Sequence, residues 1–596
     1  MDNSIEIDKN KSITFRHLKT TSAVNQKLLE QLKQELNLSE LVAQILIERG
    51  INSLETAKFF LTPSFQNGFE NPNQIKNINL LAEELLKFTK AKTPITIFCD
   101  FDVDGLTAGA QAYLYLHELG ANVGYYVPNR FEDGYGLSLK AVKKIANSGA
   151  KVLVTIDCGI SNFEEIAYAK SLGLTCFVLD HHQVLTPPPA DIIVDPEQDD
   201  CPFKPFKLCA AGLIWMLLIV LRQKATVLLE QTTQTLPDPK NYIELAALGT
   251  VCDMVPLLNL NRLIVYRGLE ALKQTKRVGL LALMELTNLV NNPRLNAGSI
   301  GFCLGPRINA VGRIGHAANV FELLITKDQT LAKKLAKTIN NCNEERKNIE
   351  QDSLQKCLNY LKQYPELLEN PALAIFNKEF HLGIMGIIAG RLVEQFNVPV
   401  AIMSMQEIFD SNGDKRKIIK GSVRGVTWFN VVQALKNISH LCLNCGGHDQ
   451  AGGFSIEFEK LAEFQAAFIK QAFALLDPSQ LKKKYYTCDV EIGFKQLNFK
   501  TVNELSKLAP FGVGNPPLLF LTRNVVIQSI ITLQNKGYKL LFKDIQGGEF
   551  YLYGIIWGAV NKEILEVGKT VNILFSPEIN NFGGNSTVQL TLKEIF

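Results

Sequence analysis

The sequence predicts an α/β protein in which a parallel-sheet domain is joined by a long helix to a second α/β domain, with a β-barrel at the C-terminus. From Pro94 onward, short β-rich runs alternate with helical stretches, which is typical of βαβ units. A polar, charged segment near residue 340 has the composition of a helix that bridges two domains. Between Val525 and Phe596, short alternating strands favour a small barrel.

The chain has 596 residues, which at roughly 150 residues per domain corresponds to three or four domains. Hydrophobic residues make up 46% of it and charged residues 20%, which excludes a mainly disordered protein. The expected domains are a helical cap over 1–85, the parallel-sheet domain over 86–326, the connecting helix over 327–365, the second α/β domain over 366–480 and the barrel over 481–596.

The net charge and the cysteine content limit the partners and the cellular compartment that the sequence predicts. The net charge is only +3, so a nucleic-acid partner has to be argued from local patches. Twelve scattered cysteines show no framework of pairs, which favours a reducing cytoplasm. The longest apolar run, Leu208 to Leu221, falls short of the about 20 residues that cross a bilayer. We therefore expect a buried helix there and no membrane association.

Acidic residues collect where predicted strands end. The strands Ile95–Cys99, Val152–Ile156 and Thr175–Leu179 each run into one or more Asp, and a further Asp follows a helix. The acids and the two accompanying histidines are Asp100, Asp102, Asp104, Asp157, Asp180, His181, His182 and Asp253. Carboxyl ends of parallel strands meet at one sheet edge, so these side chains are expected to lie together.

Such a cluster predicts a two-metal centre. Neighbouring carboxylates repel one another unless a cation neutralises them. Several Asp with one or two His is the ligand chemistry of Mn²⁺ or Mg²⁺. Any single Asp here is explained as well by turn formation or helix capping. That explanation is poor for four acidic segments and a His-His pair together.

These motifs resemble those of the DHH phosphoesterases. The matching segments are Asp102-Val-Asp104-Gly105, Asp157-Cys-Gly-Ile160, Asp180-His181-His182 and Gly249-Thr-Val-Cys-Asp253. Within that superfamily the chain is similar to the RecJ family of bacterial exonucleases. The supporting segments are Gly305-Pro-Arg-Ile-Asn-Ala-Val-Gly-Arg313, His381-Leu-Gly-Ile-Met-Gly386, Gly421-Ser-Val-Arg424, Cys445-Gly-Gly-His-Asp-Gln-Ala-Gly-Gly453 and Pro510-Phe-Gly-Val-Gly-Asn-Pro516.

The resemblance implies two Mn²⁺ or Mg²⁺ ions in the first domain, with Asp157 as the bridging ligand. The implied metal ligands are Asp102, Asp104, Asp157, His181 and Asp253. His182 would face the scissile phosphate, and His182, Asp157 and Asp104 would be the catalytic residues. One departure concerns Phe98, because many members of the superfamily have a metal-binding His at that position. Asp100 or water is then expected to take over the lost ligand position.

The resemblance also implies phosphate contacts outside the metal centre. Ser422 and Arg424 match the motif that holds the terminal 5′-phosphate, as does Arg130, and Arg307 resembles a further phosphate contact. This chain has Gly425 where the family often has Ser, so one hydroxyl contact is expected to be missing. In the second α/β domain, which the family calls DHHA1, the DNA contacts are expected at Gly446, Gly447 and His448.

The predicted barrel suits an OB-fold, whose groove binds single strands by stacking bases on aromatic side chains. The candidate aromatic residues are Phe542, Phe550, Tyr551, Tyr553 and Trp557. Some of these have to belong to the barrel core.

The expected function is metal-dependent hydrolysis of single-stranded DNA from the 5′ end to mononucleotides, in recombination and repair. The resemblance further implies that the chain works with a RecQ-type helicase and a single-strand-binding protein in the bacterial cytoplasm. Nothing in the sequence demands an oligomer, so a monomer is expected. One alternative is a DHH phosphodiesterase for short oligonucleotides or cyclic dinucleotides, against which the Arg424 motif and the barrel argue. The other is an inactive single-strand-binding scaffold, against which the nearly complete ligand set argues.

Overall fold

The computed structural model describes most of the chain. The described residues are 4–8, 11–15, 23–130, 133–134, 136–409, 415–476, 484–534, 537–545, 549–558, 563–582 and 585–596. By its contacts the chain divides into two units. One comprises Met1–Thr14 with Asn343–Thr487, and the other Phe15–Cys342 with Cys488–Phe596. The domain boundary expected at residue 480 lies outside the described residues.

The elements up to the long helix are, in chain order, β1 (Ser4–Asp8), β2 (Lys11–Phe15), α1 (Ala23–Glu35), α2 (Glu40–Glu48), α3 (Leu54–Leu61), α4 (Ile78–Lys90), β3 (Ile95–Cys99), α5 (Val103–Glu118), β4 (Val123–Tyr126), α6 (Leu139–Asn147), β5 (Val152–Ile156), α7 (Phe163–Ser171), β6 (Thr175–Leu179), β7 (Ile192–Val194), α8 (Ala210–Leu228), α9 (Ile243–Cys252), α10 (Asn259–Lys273), α11 (Val278–Leu286), α12 (Ala297–Ser299), α13 (Gly305–Ile314), α14 (Ala318–Ile325) and α15 (Gln329–Gln363). A π-helical turn, Ile300–Leu304, joins α12 to α13.

The remaining elements are β8 (Leu373–Phe376), α16 (Met385–Phe396), β9 (Val400–Phe409), β10 (Lys415–Arg424), α17 (Val431–Asn437), β11 (Asn444–His448), β12 (Ala451–Glu457), α18 (Leu461–Leu475), β13 (Lys484–Cys488), β14 (Val490–Glu491), α19 (Phe499–Ser506), β15 (Phe520–Leu533), β16 (Gly537–Asp544), β17 (Phe550–Trp557), β18 (Thr570–Phe582) and β19 (Asn585–Ile595). The strands β1, β2 and β13 form a small sheet. The strands β1 and β2 were not predicted from the sequence, although Ile5 and Ile7 alternate with acidic residues there.

The first α/β domain is built on a parallel sheet with the strand order β4-β3-β5-β6-β7. The chain leaves β3 toward β4 and then returns to the opposite side of β3 as β5. This reversal opens a crevice at the carboxyl ends of β3 and β5, where ligands bind in open α/β sheets. The predicted acids follow these two strands and β6.

Helices cover both faces of this sheet. Ile97 and Cys99 of β3 face the larger core with α5, α8 and α9, whereas Phe98 faces the smaller core with α6 and α7. There Phe98 is fully buried and stacks on Tyr126 with ring centroids 5.8 Å apart. The alternation of side chains along a strand therefore places this ring in the smaller core, on the opposite side of the sheet from Ile97 and Cys99.

Helix α8 contains the longest apolar run. Among the described residues it is the one helix whose length and composition meet the criteria for a membrane span, and 61% of it is buried within the protein. Its side chains belong to the large core of the first α/β domain. The predicted buried helix is therefore present.

The second α/β domain contains a five-stranded sheet in the order β11-β12-β10-β9-β8. The pair β8–β9 is parallel and the other pairs are antiparallel. Helix α16 packs on β9 and β10. A separate core under α17 and α18 includes Phe429, Phe454 and Phe464.

The C-terminal domain is a barrel in which β15 pairs with both β16 and β18, and β17 pairs with β19. Its core is continuous with α1, α2, α3 and α19, so Leu32 and Leu46 share a cluster with Phe520 and Phe575. The N-terminal helices therefore complete the barrel's hydrophobic core. Together with the parallel sheet, the second α/β domain and the long helix, the barrel confirms the predicted fold class.

Candidate metal centre and phosphate site

The ends of β3, β5 and β6 bring the predicted acids together. Asp102 caps the N-terminus of α5, where its carboxylate accepts a hydrogen bond from the Gly105 N–H at 3.1 Å. Asp157 directly follows β5 and has a φ of 62°, in the left-handed region that residues other than glycine seldom adopt. Such strained backbone is concentrated at functional sites.

His181 lies among three of these carboxylates. Its Nε2 is 3.1 Å from Asp157 Oδ1, 3.7 Å from Asp104 Oδ2 and 3.9 Å from Asp253 Oδ2. The side chains of Asp104 and Asp157 are buried, whereas Asp253 is about a quarter exposed and His182 about a third. The cluster therefore opens to solvent on the side of Asp253 and His182.

Three groups of side chains have ligand atoms within 4.8 Å of one another, the spacing that a single ion requires. The groups are Asp157 with His181 and His182, Asp104 with His181 and Asp253, and Asp100 with Asp102 and Asp157. Asp157 belongs to two of them. All five residues predicted as metal ligands are thus in one cluster, which also includes Asp100.

Asp104 is held by the N-terminus of α8. Its two carboxylate oxygens accept hydrogen bonds from the backbone N–H groups of Ala210 at 2.7 Å and Ala211 at 2.8 Å. A side chain at Gly249 would place its Cβ 2.5 Å from Asp104 Oδ1. Glycine in the Gly249–Asp253 motif therefore allows α9 to approach this carboxylate closely.

Burial and mutual repulsion keep protons on this cluster when no cation is bound. Burial, followed by the neighbouring carboxylates, raises the pKa of Asp253 to about 8 and that of Asp100 to about 7. The same causes raise the pKa of Asp157 well above its usual range. Asp100 Oδ1 is buried and has no hydrogen-bond partner within the described part of the chain. These carboxylates and His181 fit divalent cations that prefer oxygen and nitrogen ligands.

His182 is oriented by Asp180. The Asp180 carboxylate is 2.7 Å from His182 Nδ1, and it also accepts the backbone N–H groups of His181 and Ile160. The hydrogen bond with Asp180 raises the pKa of His182 to about 9, against the opposing effect of burial. His182 therefore carries a positive charge at neutral pH on the open side of the cluster.

Four cysteines surround the acids without becoming ligands. They are Cys99, Cys158, Cys209 and Cys252. Burial raises the pKa of each of these thiols, so they remain neutral. Because the thiolate is the form that binds metals, the cluster does not offer the sulfur ligands of a zinc site.

The two arginines predicted near this centre have different surroundings. The Arg130 guanidinium lies 5.7 Å from the centroid of the Phe101 ring. In the sequence, Phe101 stands between Asp100 and Asp102. Arg307 donates to Asn340 Oδ1 at 2.9 Å and to the Cys303 carbonyl at 2.7 Å. Two of its donor nitrogens are thus bonded within the protein.

A second cluster lies in the second α/β domain, where Ser422 and Arg424 meet the N-terminus of α16. Arg424 Nη1 donates to Ser422 Oγ at 3.2 Å and to the Val423 carbonyl at 2.8 Å. A Cβ at Gly386, in the first turn of α16, would lie 2.7 Å from Arg424 Nη2. An arginine, a hydroxyl and a helix N-terminus together suit a phosphate group.

Strand register brings part of the glycine-rich segment to the same face. His448 pairs with Ala451, which pairs with Arg424, and Gly446 pairs with Gly453, which pairs with Ser422. Laterally paired residues point to the same side of a sheet, so His448 and Gly446 lie two strands from the Arg424 cluster. Gly447 is in the left-handed region at φ 149°, and a Cβ there would meet the Ala451 carbonyl at 2.2 Å.

Two residues that were not predicted as site residues support the metal centre, and Asp195 is a further acid at a strand end of the same sheet. Asp180 orients His182, and Asn309 Oδ1 accepts the Val103 N–H at the start of α5. Asp195 follows β7, is fully buried, and accepts the Glu197 N–H at 2.7 Å. The strand-end position that identified the other acids was also a signal for Asp195.

Comparison with known proteins identifies the domains. Residues 94–250 match the DHH family, N-terminal domain, residues 369–474 match the DHHA1 domain, and residues 488–594 match the RecJ OB domain. The chain is 33% identical over 540 residues to the single-stranded-DNA-specific exonuclease RecJ of Haemophilus influenzae, covering 88% of this chain and 91% of that protein. This chain belongs to the RecJ family.

Solved RecJ structures have the same fold. RecJ from Thermus thermophilus in complex with Mn²⁺ superposes with a TM-score of 0.79 at 26% identity, covering 96% of this chain and 78% of that one. An exonuclease RecJ bound to manganese matches with a TM-score of 0.57 at 31% identity, covering 68% of this chain and 97% of the other. The RecJ resemblance expected from the motifs is therefore confirmed.

Proposed function

We propose that this RecJ-family chain is a metal-dependent exonuclease that hydrolyses single-stranded DNA from the 5′ end to mononucleotides. The observation that carries the proposal is the cluster of Asp102, Asp104, Asp157, His181 and Asp253 at the switch point of a parallel sheet. Its relatives support the proposal, because they include a single-stranded-DNA-specific exonuclease and RecJ structures that contain manganese.

In this proposal the five ligand residues would hold two Mn²⁺ or Mg²⁺ ions, and Asp157 belongs to two of the candidate groups. Asp100 or water would take the ligand position that Phe98 cannot fill. Bound divalent cations supply charge neutralisation at the phosphate and activation of water, so no protein nucleophile is needed. Asp104, fixed by the N-terminus of α8, keeps one side of the ligand set rigid.

His182 is proposed to contact the scissile phosphate. Its Nε2 is the ring nitrogen left for a substrate, because Nδ1 is engaged by Asp180. The positive charge that this partner maintains suits a phosphate oxygen on which negative charge develops. Asp180 is thus a positioning residue.

The 5′-phosphate is proposed to bind Ser422 and Arg424 beside the N-terminus of α16, with Arg130 and Arg307 as further phosphate contacts. Gly446, Gly447 and His448 would contact the DNA backbone on the same sheet. Recognition of a terminal phosphate would explain why digestion begins at a 5′ end.

The barrel is proposed to bind the single strand on one face of β17. Along this strand Tyr551, Tyr553 and Trp557 are separated by even numbers of positions, so they lie on the same face, and all three are exposed. The Lys539 ammonium lies 4.4 Å from the centroid of the Tyr553 ring, so a cation accompanies the aromatic face. Phe542, also predicted as a stacking candidate, is fully buried in the barrel core and is excluded from this surface.

The cellular setting also remains a proposal. The family resemblance supports a role in the bacterial cytoplasm with unwound DNA from a RecQ-type helicase and with a single-strand-binding protein, and we propose that the chain acts as a monomer. Sedimentation of the purified chain would measure its mass, and a dimer at micromolar concentration would contradict the monomer.

The polarity is tested with single strands labelled at either end and incubated with Mn²⁺. A strand blocked at its 3′ end should be degraded like an unblocked strand, whereas a 5′-blocked strand should persist. Equal degradation of the two blocked strands would contradict the proposed polarity. Rates on dinucleotides that exceed those on long strands would instead favour a phosphodiesterase for short oligonucleotides.

A further inference from the structure

Large apolar side chains are exposed on chain segments that carry or adjoin the metal cluster. Phe302 is 85% exposed, the highest value for a large apolar residue in the described part of the chain, and Leu185 follows at 83%. Leu185 is three positions after His182, and Met254, directly after Asp253, is 68% exposed. Three of the four most exposed large apolar residues described thus lie on segments that carry or adjoin the open ligands.

Phe302 lies on the π-helical turn Ile300–Leu304, which packs against the end of α9 just before Asp253. A Cβ at Gly301 would lie 3.7 Å from Val251 Cγ1, and one at Gly305 would lie 2.5 Å from Cys252 Sγ. The turn is therefore in contact with the two residues that precede the metal ligand. Single π-helical turns occur frequently at functional sites.

The same surface continues to the barrel domain. Leu257 and Ala297 belong to one small buried cluster, which joins the segment after Asp253 to the segment before Phe302. The Leu257 N–H donates to the Val513 carbonyl at 2.8 Å. Arg294 Nη2 donates to Asn580 Oδ1 on β18 at 3.1 Å. The segments on either side of Phe302 thus contact both the helix that leads to Asp253 and the barrel domain.

We propose that the Phe302 ring stacks on a base of the single strand close to the metal centre. The inference rests on the proposed function, in which one strand is bound by both the barrel and the metal centre, because the segments next to Phe302 contact both parts of the protein. An exposed ring accepts any base, since every base has a π-face, so stacking here holds the strand without selecting its sequence. Phe302 is then a positioning residue for the phosphodiester that is cleaved.

The test is a scan of single abasic nucleotides through the first eight positions of a 5′-phosphorylated strand, with kcat/KM measured in Mn²⁺. For the natural chain, an abasic nucleotide at the position that contacts Phe302 should reduce kcat/KM by about tenfold, through KM. In Phe302→Ala the penalty at that position should disappear, while penalties at other positions remain. Phe302→Trp should restore the natural profile.

Phe473→Ala is the matched control, because Phe473 is also an exposed Phe but lies on α18 of the second α/β domain. Its profile should equal that of the natural chain. An unchanged profile in Phe302→Ala, or a uniform loss at every position, would overturn the stacking role. If the natural chain cleaves none of these strands, the proposed function fails instead, and the two failures are therefore distinguishable.

Discussion

At the scale of single residues, the metal centre is a cluster of acids that the fold holds together against their mutual repulsion. Asp100 and Asp253 have pKa values raised to about 7 and about 8, chiefly by burial and then by neighbouring carboxylates. An unfolded chain would ionise the same groups near pH 4. Between about pH 4 and about pH 8, the folded, metal-free protein therefore binds more protons than the unfolded chain does.

This difference predicts that the metal-free protein loses stability as the pH rises from 5 to 8. A carboxyl group whose folded-state pKa is raised contributes stability at low pH and loses it as the pH passes through that pKa. We expect the melting temperature in EDTA to fall by about 5 °C or more over this range. Added Mn²⁺ should raise it more at pH 8 than at pH 6, because binding has to displace fewer protons.

Asp253→Asn provides the control for this pH dependence. The amide cannot ionise, so one of the raised pKa values is removed and the melting temperature of the metal-free variant should depend less on pH. A natural chain whose metal-free melting temperature rises steadily between pH 5 and pH 8 would contradict the account. Differential scanning calorimetry gives both results.

At the scale of elements, the N-terminus of α16 forms the phosphate site together with β10. Gly386→Ala would place a methyl group 2.7 Å from Arg424 Nη2 and 3.1 Å from Ser422 Oγ, so the arginine has to move. We expect the preference for a 5′-phosphate over a 5′-hydroxyl end to fall by about tenfold, since a charge-assisted contact is weakened. Rates on the two kinds of strand measure this preference.

Gly390→Ala is the control on the same helix, because a Cβ at that position meets no atom within 4 Å. This variant should retain the natural preference for the 5′-phosphate. An equal loss in both variants would indicate a general effect on α16 and would contradict the specific role of its N-terminus.

The strand-end acids show how much of the site the sequence contains. Parallel strands order their carboxyl ends at one edge, so Asp102, Asp157 and His181 could be predicted to meet without knowledge of any distance. The role of Asp100 was harder to predict from the sequence, because it depends on the orientation of its carboxylate toward Asp157. The contact of Gly386 with Arg424 joins a helix start to a strand end, and no local pattern encodes it.

At the scale of the whole molecule, the N-terminal helices belong with the C-terminal barrel. The Ser39 N–H donates to Glu504 Oε2 at 2.9 Å although the two residues are 465 positions apart. The helical periodicity of α1 to α3 predicts an apolar face but does not identify what covers it. This is why the sequence predicted the helices and the barrel separately and could not predict their shared core.

Arg262 is a central link in this arrangement. Its guanidinium is fully buried and donates to the carbonyl oxygens of Phe60, Leu508, Ala509 and Pro510. It therefore connects α3 and α10 to the loop before the barrel. Its carbon atom Cζ also lies 3.7 Å from the centroid of the Phe60 ring.

Arg262→Met is expected to reduce the free energy of unfolding by about 3–5 kcal/mol, because four buried carbonyl groups lose a charged donor. Arg267→Met on the same helix is the control, since Arg267 forms a surface ion pair with Glu270 and should cost less than about 1 kcal/mol. Urea unfolding of both variants measures the difference. Equal stabilities would contradict the linking role of Arg262.

The near-neutral net charge is a sum over 62 Lys and Arg and 59 Asp and Glu, which include the acids of the metal cluster. The total of +3 therefore does not describe the local charge at the proposed DNA-binding residues. We propose that the cluster around Asp157 performs the hydrolysis of single-stranded DNA.

The most direct test is Asp157→Asn, assayed with a 5′-phosphorylated single strand in Mn²⁺. Asp328→Asn is the control, because Asp328 accepts the Thr330 N–H at the start of α15 and Asn caps a helix as well as Asp does. The account predicts that Asp157→Asn lowers kcat on the order of a thousandfold or more while most strand binding remains, and that Asp328→Asn is fully active. Cleavage by Asp157→Asn at the rate of the natural chain would contradict it.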